Sequence, residues 1–352
     1  MATKKSSSKK VVKVVFWKRW FIAIRTKISG FMARRPHRSF RRTRRRDYVR
    51  SLQLPGFFAF TGYVAKVLWR HKTTFLLLAL IYAVLSGLFV GLASQNTFTT
   101  LASTLKNTSS DLFGGGWGQI GQAGLLTLAT FGGALNSNLT TDEQIYAALF
   151  ALMVWLTTVW LLRSIMADKK VRLRDGLYNA GAPLLATVIV FIVMLVQLLP
   201  IALALIGYNA ANSSGLLAGG VEAMLFWLAA GGLALLSLFW ITSSFFALVI
   251  VTIPGMYPFT ALSRAGDLVT SRRFRLLLRI LWLLLTILVA WAVVLILVTL
   301  FDTWLNGVWP AFSSVPLVPV IIVVLASLSI IWASSYVYLL YRKVVDDNAS
   351  PA

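Results

Sequence analysis

The sequence predicts an all-α protein, a polytopic membrane bundle of about six transmembrane helices with short cytoplasmic amphipathic helices. Of its 352 residues, 58% are hydrophobic and 13% are charged, whereas soluble domains average about 45–50% apolar and about 25% charged residues. Six apolar windows are long enough to cross a bilayer, which takes roughly 20 residues. The lysines and arginines also fall almost entirely on one predicted side of these windows.

The six predicted spans cover residues 73–93, 144–166, 183–206, 223–253, 276–300 and 317–341. Helices are expected, because an isolated strand would leave backbone groups unpaired in lipid and the windows lack the alternating pattern of a barrel. The spans define a transmembrane domain at residues 55–341. A basic arm, expected to be largely disordered, precedes it at residues 1–54, and a short tail follows at residues 342–352.

Positive charge sets the predicted orientation. The net charge is +23, and all but one of the 34 lysines and arginines lie in the arm, the tail, alternate connections or the span ends that adjoin them. The exception is Lys106, in the predicted outer loop at residues 94–143. Because lysine and arginine remain on the cytoplasmic side of a membrane, both termini are predicted to be cytoplasmic, in a multi-pass protein of a cell (inner) membrane.

The uncharged stretch at residues 112–135 leaves two hypotheses open. It begins with several glycines and ends with an apolar part at residues 123–135. That part is about 13 residues long, which is too short to cross a bilayer. It is therefore interpreted as an interfacial or re-entrant segment, with a flexible external loop as the equal alternative.

Short stretches with helical periodicity precede the first, third and fifth predicted spans. Each also contains a glycine. The apolar residues that share a face are Phe57, Phe60, Val64 and Val67 in the first, Leu173, Leu177 and Ala180 in the second, and Phe259, Leu262, Ala265 and Val269 in the third. The pattern predicts three repeated units of a surface helix plus a hairpin. The alternative is that any linker beside a membrane tends to be amphipathic.

One of these stretches carries a resemblance to known proteins. Residues 258–285, PFTALSRAGDLVTSRRFRLLLRILWLLL, combine an amphipathic helix, basic residues and a span. With the layout of residues 55–342, this resembles a group of poorly characterised six-span bacterial membrane proteins, including the membrane domain attached to some glycerophosphodiester phosphodiesterases. The resemblance implies the six-span layout only, since no phosphodiesterase domain accompanies it in this sequence and the group offers no functional residues to transfer.

The arm is the most basic part of the chain. Residues 1–50 contain 18 lysines and arginines and one acid, Asp47. Such charge attracts anionic lipid headgroups, at about 1 kcal/mol per residue near the surface, and also nucleic-acid phosphates. We expect it to hold the N-terminus in the cytoplasm and to contact anionic headgroups there, with RNA or ribosome binding as the alternative. The candidate contact residues are Arg34, Arg35, Arg38, Arg41, Arg42, Arg44, Arg45 and Arg46.

Groups that carry catalysis are scarce. The chain has no cysteine, and its two histidines, His37 and His71, both precede the first predicted span. Thiolate and histidine-cluster metal sites are therefore excluded. The predicted span interiors contain no carboxylate, which disfavours proton-coupled transport. Arg279 lies one turn inside the fifth span and is expected to snorkel to the surface. A non-enzymatic protein without a cofactor is predicted.

Gln197 and Pro200 are the polar and helix-disturbing residues of the third predicted span. A proline frees a backbone carbonyl and kinks a helix, and a glutamine can bond to a neighbouring helix. Transporters build substrate sites at broken helices of this kind. The two residues are therefore a candidate broken-helix site, with ordinary helix packing as the favoured alternative.

The expected role is a non-enzymatic scaffold or a subunit of a membrane complex. Its arm and surface helices would contact anionic lipid, a cytoplasmic protein partner or a second copy of the chain. A transporter or channel-type permease subunit is the first alternative, and a membrane protein with an RNA- or ribosome-binding arm is the second. A permease predicts a water-filled cavity lined by Gln197 and the hydroxyls of the fourth span, whereas a scaffold predicts a closed apolar core.

Overall fold

A computed structural model describes residues 54–90, 141–169, 171–214, 219–270, 273–309 and 317–345, together with the single position Thr26. The chain divides into two compact units, Met1–Asp47 and Tyr48–Ala352, and the described ranges of the second are helical without any strand. Their helices are α1 (Phe57–Arg70), α2 (Lys72–Phe89), α3 (Thr141–Met166), α4 (Leu173–Ala180), α5 (Leu184–Ser213), α6 (Val221–Ile250), α7 (Pro258–Val269), α8 (Arg273–Val308) and α9 (Leu317–Val345).

Six of these helices are long and apolar enough to cross a membrane, namely α2, α3, α5, α6, α8 and α9. The prediction of an all-α bundle with about six spans is thereby confirmed. The bounds differ most for α8, which runs to Val308 rather than ending near residue 300. Helical hydrogen bonding continues there past the end of the apolar window, and the next helix-breaking residue is Pro310.

The three short helices stand where the periodicity predicted them, directly before α2, α5 and α8. They lie at the end of the bundle where α2, α5 and α8 begin and where α3, α6 and α9 finish. Contacts tie this end together: Lys343 of α9 lies over the Tyr63 ring of α1 at 5.8 Å. Arg163 of α3 donates to Thr252, which follows α6. We call this the short-helix end.

The apolar faces of the short helices pack against the bundle only in part. Phe60 and Val64 of α1 are fully buried. In α7, Phe259 is 72% exposed, while Ala261 and Ala265 are fully buried. The first turns of the contact face of α7 are made of small residues, which let its backbone approach a neighbouring helix closely. A phenylalanine in that face would hold the helices apart.

The core lies toward the short-helix end and surrounds α9. All residues of α9 from 334 to 340 are buried, so this stretch has no exposed face. It contacts α1, α2, α3, α6 and α8. A helix that is buried all round is a central helix, since a helix at the surface has one exposed stripe.

The opposite half of the bundle is packed more loosely. Its smaller apolar cluster consists of Trp291 and Leu295 of α8 with Val318 and Ile322 of α9. The most apolar window of α5 is only 11% buried, against 50% for that of α3. The exposed face of α5 is suited to lipid, because lipid chains are as apolar as the side chains that they contact there.

Gly176 lies where α4 packs closely against α3. A Cβ atom added at Gly176 would lie 2.9 Å from Cδ2 of Leu161, whose side chain is fully buried, whereas one added at Gly62 of α1 would meet nothing within 4 Å. We therefore expect Gly176→Val to lower the free energy of unfolding by about 1–3 kcal/mol through overpacking. The matched change Gly62→Val should alter it by less than about 0.5 kcal/mol.

The measurement is denaturant or thermal unfolding of the purified chain in detergent, followed by tryptophan fluorescence. Equal effects at the two glycines would contradict the close contact between α4 and α3.

Candidate functional site

Each short helix exposes large aromatic rings beside basic side chains. On α1, Phe58 is 78% exposed and Trp69 is 73% exposed. On α4, Tyr178 is 88% exposed, and Tyr257 and Phe259 at the start of α7 are 76% and 72% exposed. The exposed basic residues of the same segments are Lys66, Arg70, Arg172, Arg174 and Arg264. We call these aromatic and basic residues together the aromatic–basic surface.

This combination is the one that membrane interfaces favour. Aromatic rings settle at the level of the headgroups, and lysine and arginine face the anionic phosphates. Between α1 and α2, the Lys72 amine lies 5.3 Å from the centre of the Trp69 ring, which is cation–π distance. The Trp69 ring and the Lys72 charge therefore lie together at the surface.

Beneath this surface, Arg163 joins α3 to the turn that leads into α7. Its Nη1 donates to the Thr252 carbonyl at 2.9 Å and its Nη2 donates to the Thr252 hydroxyl at 2.7 Å. Both terminal nitrogens of the planar guanidinium therefore donate to the same residue, Thr252. Arg163 therefore ties α3 to the segment between α6 and α7.

Arg279 does not snorkel, contrary to the prediction, because α1 packs over it. The side chain is only 6% exposed. Its Nη2 donates to the Pro55 carbonyl just before α1, and the guanidinium carbon lies 5.2 Å from the Phe57 ring centre and 5.5 Å from that of Phe60. A cation that sequence alone places at the edge of a span is thus enclosed by aromatic rings.

Two polar atoms next to this contact lack hydrogen bonds. Within the described residues, Nη1 of Arg279 and the hydroxyl of Tyr336 are both buried without a partner. The two groups lie side by side but form no well-aligned hydrogen bond with each other. Tyr336 itself is held edge-on against the Phe60 ring, at 4.8 Å and 88°. We call Pro55, Phe57, Phe60, Arg279 and Tyr336 the Arg279 cluster.

This cluster is not apparent from the sequence. Its parts come from α8, α9 and the residues that precede and begin α1, and Pro55 and Arg279 are 224 positions apart. The available signal was an arginine one turn inside an otherwise uncharged window, and that signal is equally typical of a snorkelling side chain.

The structure places Gln197 and Pro200 in an uninterrupted helix. Helix α5 is continuous through Pro200, so the broken helix of the candidate site is not present. The Ser244 hydroxyl donates to Oε1 of Gln197 at 2.6 Å, and Ser244 is fully buried. Thr242, also fully buried, donates to the Leu238 carbonyl at 2.6 Å. These polar groups are turned toward protein partners, which agrees with the helix-packing alternative.

The eight candidate arginines of the arm, from Arg34 to Arg46, lie outside the described residues, as does the predicted re-entrant segment at residues 112–135. Among the residues that the structure does describe, no group of three histidine, cysteine, aspartate or glutamate side chains is placed to hold a metal ion. The described site is therefore one of cations and aromatic rings.

No protein-family model matches this chain, and neither a curated protein nor a solved structure matches it. The resemblance to six-span bacterial membrane proteins stays a prediction.

A double-mutant cycle tests the bond between α5 and α6. We expect Gln197→Leu and Ser244→Ala each to lower the free energy of unfolding, and their effects to be coupled by roughly 0.5–1.5 kcal/mol, the range of hydrogen bonds between membrane helices. Unfolding in mixed micelles gives the four values.

The neighbouring serine supplies the control. Ser243 donates to the Trp240 carbonyl of its own helix, so Ser243→Ala should show no coupling to Gln197→Leu. Equal coupling for both serines would contradict the interhelical bond.

Proposed function

We propose that the protein is a non-enzymatic scaffold or complex subunit of a cell (inner) membrane, with both termini in the cytoplasm, and that its short-helix end binds anionic lipid headgroups. The observation that carries the proposal is the aromatic–basic surface. Three separate helices present the same combination of ring and charge at the same end of one bundle.

The energetics favour this assignment. Each lysine or arginine near an anionic leaflet contributes about 1 kcal/mol of attraction. Three patches on one bundle engage one lipid surface together, which strengthens binding beyond that of any single patch. The distribution of charge along the chain supports a cytoplasmic short-helix end, since Lys106 is the one basic residue outside the arm, the tail, the predicted cytoplasmic segments and the span ends that adjoin them.

The interior supports a scaffold over a permease. A permease needs polar groups that face water, whereas Ser244 and Gln197 bond to each other. Tyr336, Val337 and Leu339 in the central stretch of α9 are almost completely buried. RNA or ribosome binding by the arm remains an alternative hypothesis, because it concerns residues outside the described part.

Thiol labelling separates the scaffold from the permease. The sequence has no cysteine, so a single introduced cysteine is a unique probe. We expect Ser213→Cys, at an exposed position near the end of α5, to react with a membrane-impermeant maleimide added to the outer side. Ser244→Cys should stay unreactive because its site is fully buried. Reaction at both positions from water would sink the scaffold proposal.

Lipid selectivity tests the aromatic–basic surface directly. We expect the purified full chain to retain phosphatidylglycerol over phosphatidylcholine, and the triple variant Arg70→Gln, Arg174→Gln and Arg264→Gln to lose most of this enrichment. The loss should resemble that caused by about 0.5 M salt, which screens exposed charges. Mass spectrometry of the co-purified lipids gives the ratio.

The arm provides the comparison. Changing Arg34, Arg35 and Arg38 to glutamine removes the same charge from the N-terminal segment. If that variant lost the enrichment and the triple variant of the short helices kept it, the arm and not the aromatic–basic surface would be the lipid contact.

A further inference from the structure

We propose that the Arg279 cluster is a specific binding site for the phosphate group of an anionic lipid headgroup. The proposed function assigns a diffuse attraction to an exposed surface. This inference assigns one saturable site beneath that surface. It rests on the proposed function only in requiring that the short-helix end meet the anionic leaflet.

The first argument is charge. Arg279 is 6% exposed, and within the described residues its guanidinium meets one carbonyl oxygen and two ring faces but no carboxylate. A buried cation without a counter-ion is costly, and replacing it by an apolar residue is often neutral or stabilising. Ring faces reduce this cost without neutralising the charge. An anion is the missing partner.

The second argument is the direction of the hydrogen bonds. A guanidinium has donors only, and a tyrosine hydroxyl next to it is free to donate its proton. Nη1 of Arg279 and the hydroxyl of Tyr336 are thus two adjacent buried donors without an acceptor in the described residues. A phosphate group offers several oxygens to such a pair and forms strong charge-assisted bonds with arginine.

The third argument is the route of entry. Arg279 lies within the candidate span Arg273–Asp302. Leu278, the neighbour of Arg279 in the chain, is 39% exposed, and Phe57, whose ring covers the guanidinium, is 38% exposed. The approach is therefore over apolar surface. A lipid reaches it with a chain on this apolar surface, whereas a hydrated free phosphate would have to shed water along the way.

The test compares Arg279→Met with the unaltered full chain after removal of bound lipid. Phosphatidylglycerol is the probe, and diacylglycerol with the same acyl chains is the phosphate-free control. We expect phosphatidylglycerol alone to raise the unfolding temperature of the unaltered protein. Its dissociation constant, measured by native mass spectrometry, should rise roughly 10- to 100-fold in Arg279→Met, as the loss of a hydrogen bond to a charged group predicts.

Two further variants sharpen the result. Tyr336→Phe keeps the ring against Phe60 and removes only the hydroxyl, so its affinity should fall roughly 3- to 10-fold. Arg275→Gln removes the same charge from an exposed position of α8 and should leave the affinity of the site within about 2-fold. If the triple variant of the short helices loses lipid enrichment while one tightly bound lipid remains, the Arg279 cluster binds lipid separately from the aromatic–basic surface.

The stability of the Arg279→Met variant without lipid shows whether Arg279 serves only to hold the fold together. Arg279→Met should then be at least as stable as the unaltered protein, because it removes an unpaired buried charge. Destabilisation by the same amount with and without phosphatidylglycerol would overturn the proposal. So would equal protection by diacylglycerol, or by inorganic phosphate alone, which would make a free anion the ligand.

Discussion

The stretch of α9 from residue 334 to 340 is buried on every face, and α9 contacts α1, α2, α3, α6 and α8. In lipid, apolar contact alone does not drive helices together, so close packing and a few polar bonds must hold the bundle. Two helices supply much of that packing: α9, onto whose Tyr336 the Phe60 ring docks α1, and α6, which packs against α5 and α7. Helix α4 packs against α3. The positions of the three short helices therefore follow from their separate contacts with α9, α3 and α6.

Sequence patterns predicted the parts of the fold that are local. Span positions follow from runs of apolar residues, and the places of α1, α4 and α7 follow from periodicity over a few turns. Which side of a short helix packs is decided by its neighbour, so periodicity did not show that Ala261 and Ala265 form the contact while Phe259 stays exposed. The environment of Arg279 depends on Pro55, 224 positions away, and no local pattern carries that information.

Polar residues within the spans illustrate the same limit. Gln197, Ser244 and Pro200 occur both in substrate sites and in ordinary helix contacts, because either use requires the same hydrogen-bonding groups. The bond from Ser244 to Gln197 and the continuity of α5 distinguish the two uses. The positive charge of the short-helix end is also arranged in a way that no pattern shows. Exposed arginines lie beside aromatic rings at the surface, and Arg279 is enclosed beneath them.

Helix length gives the bundle an uneven height. At about 1.5 Å per residue, the 18 residues of α2 measure about 27 Å, while the 30 of α5 and the 36 of α8 measure about 45 and 54 Å. A hydrocarbon layer is about 30 Å thick. Helix α2 is therefore slightly shorter than this layer, whereas α5 and α8 are longer and must tilt or extend beyond it. Lipid beside α2 and lipid beside α8 thus meet helices of different length, and the bilayer has to adapt to each separately.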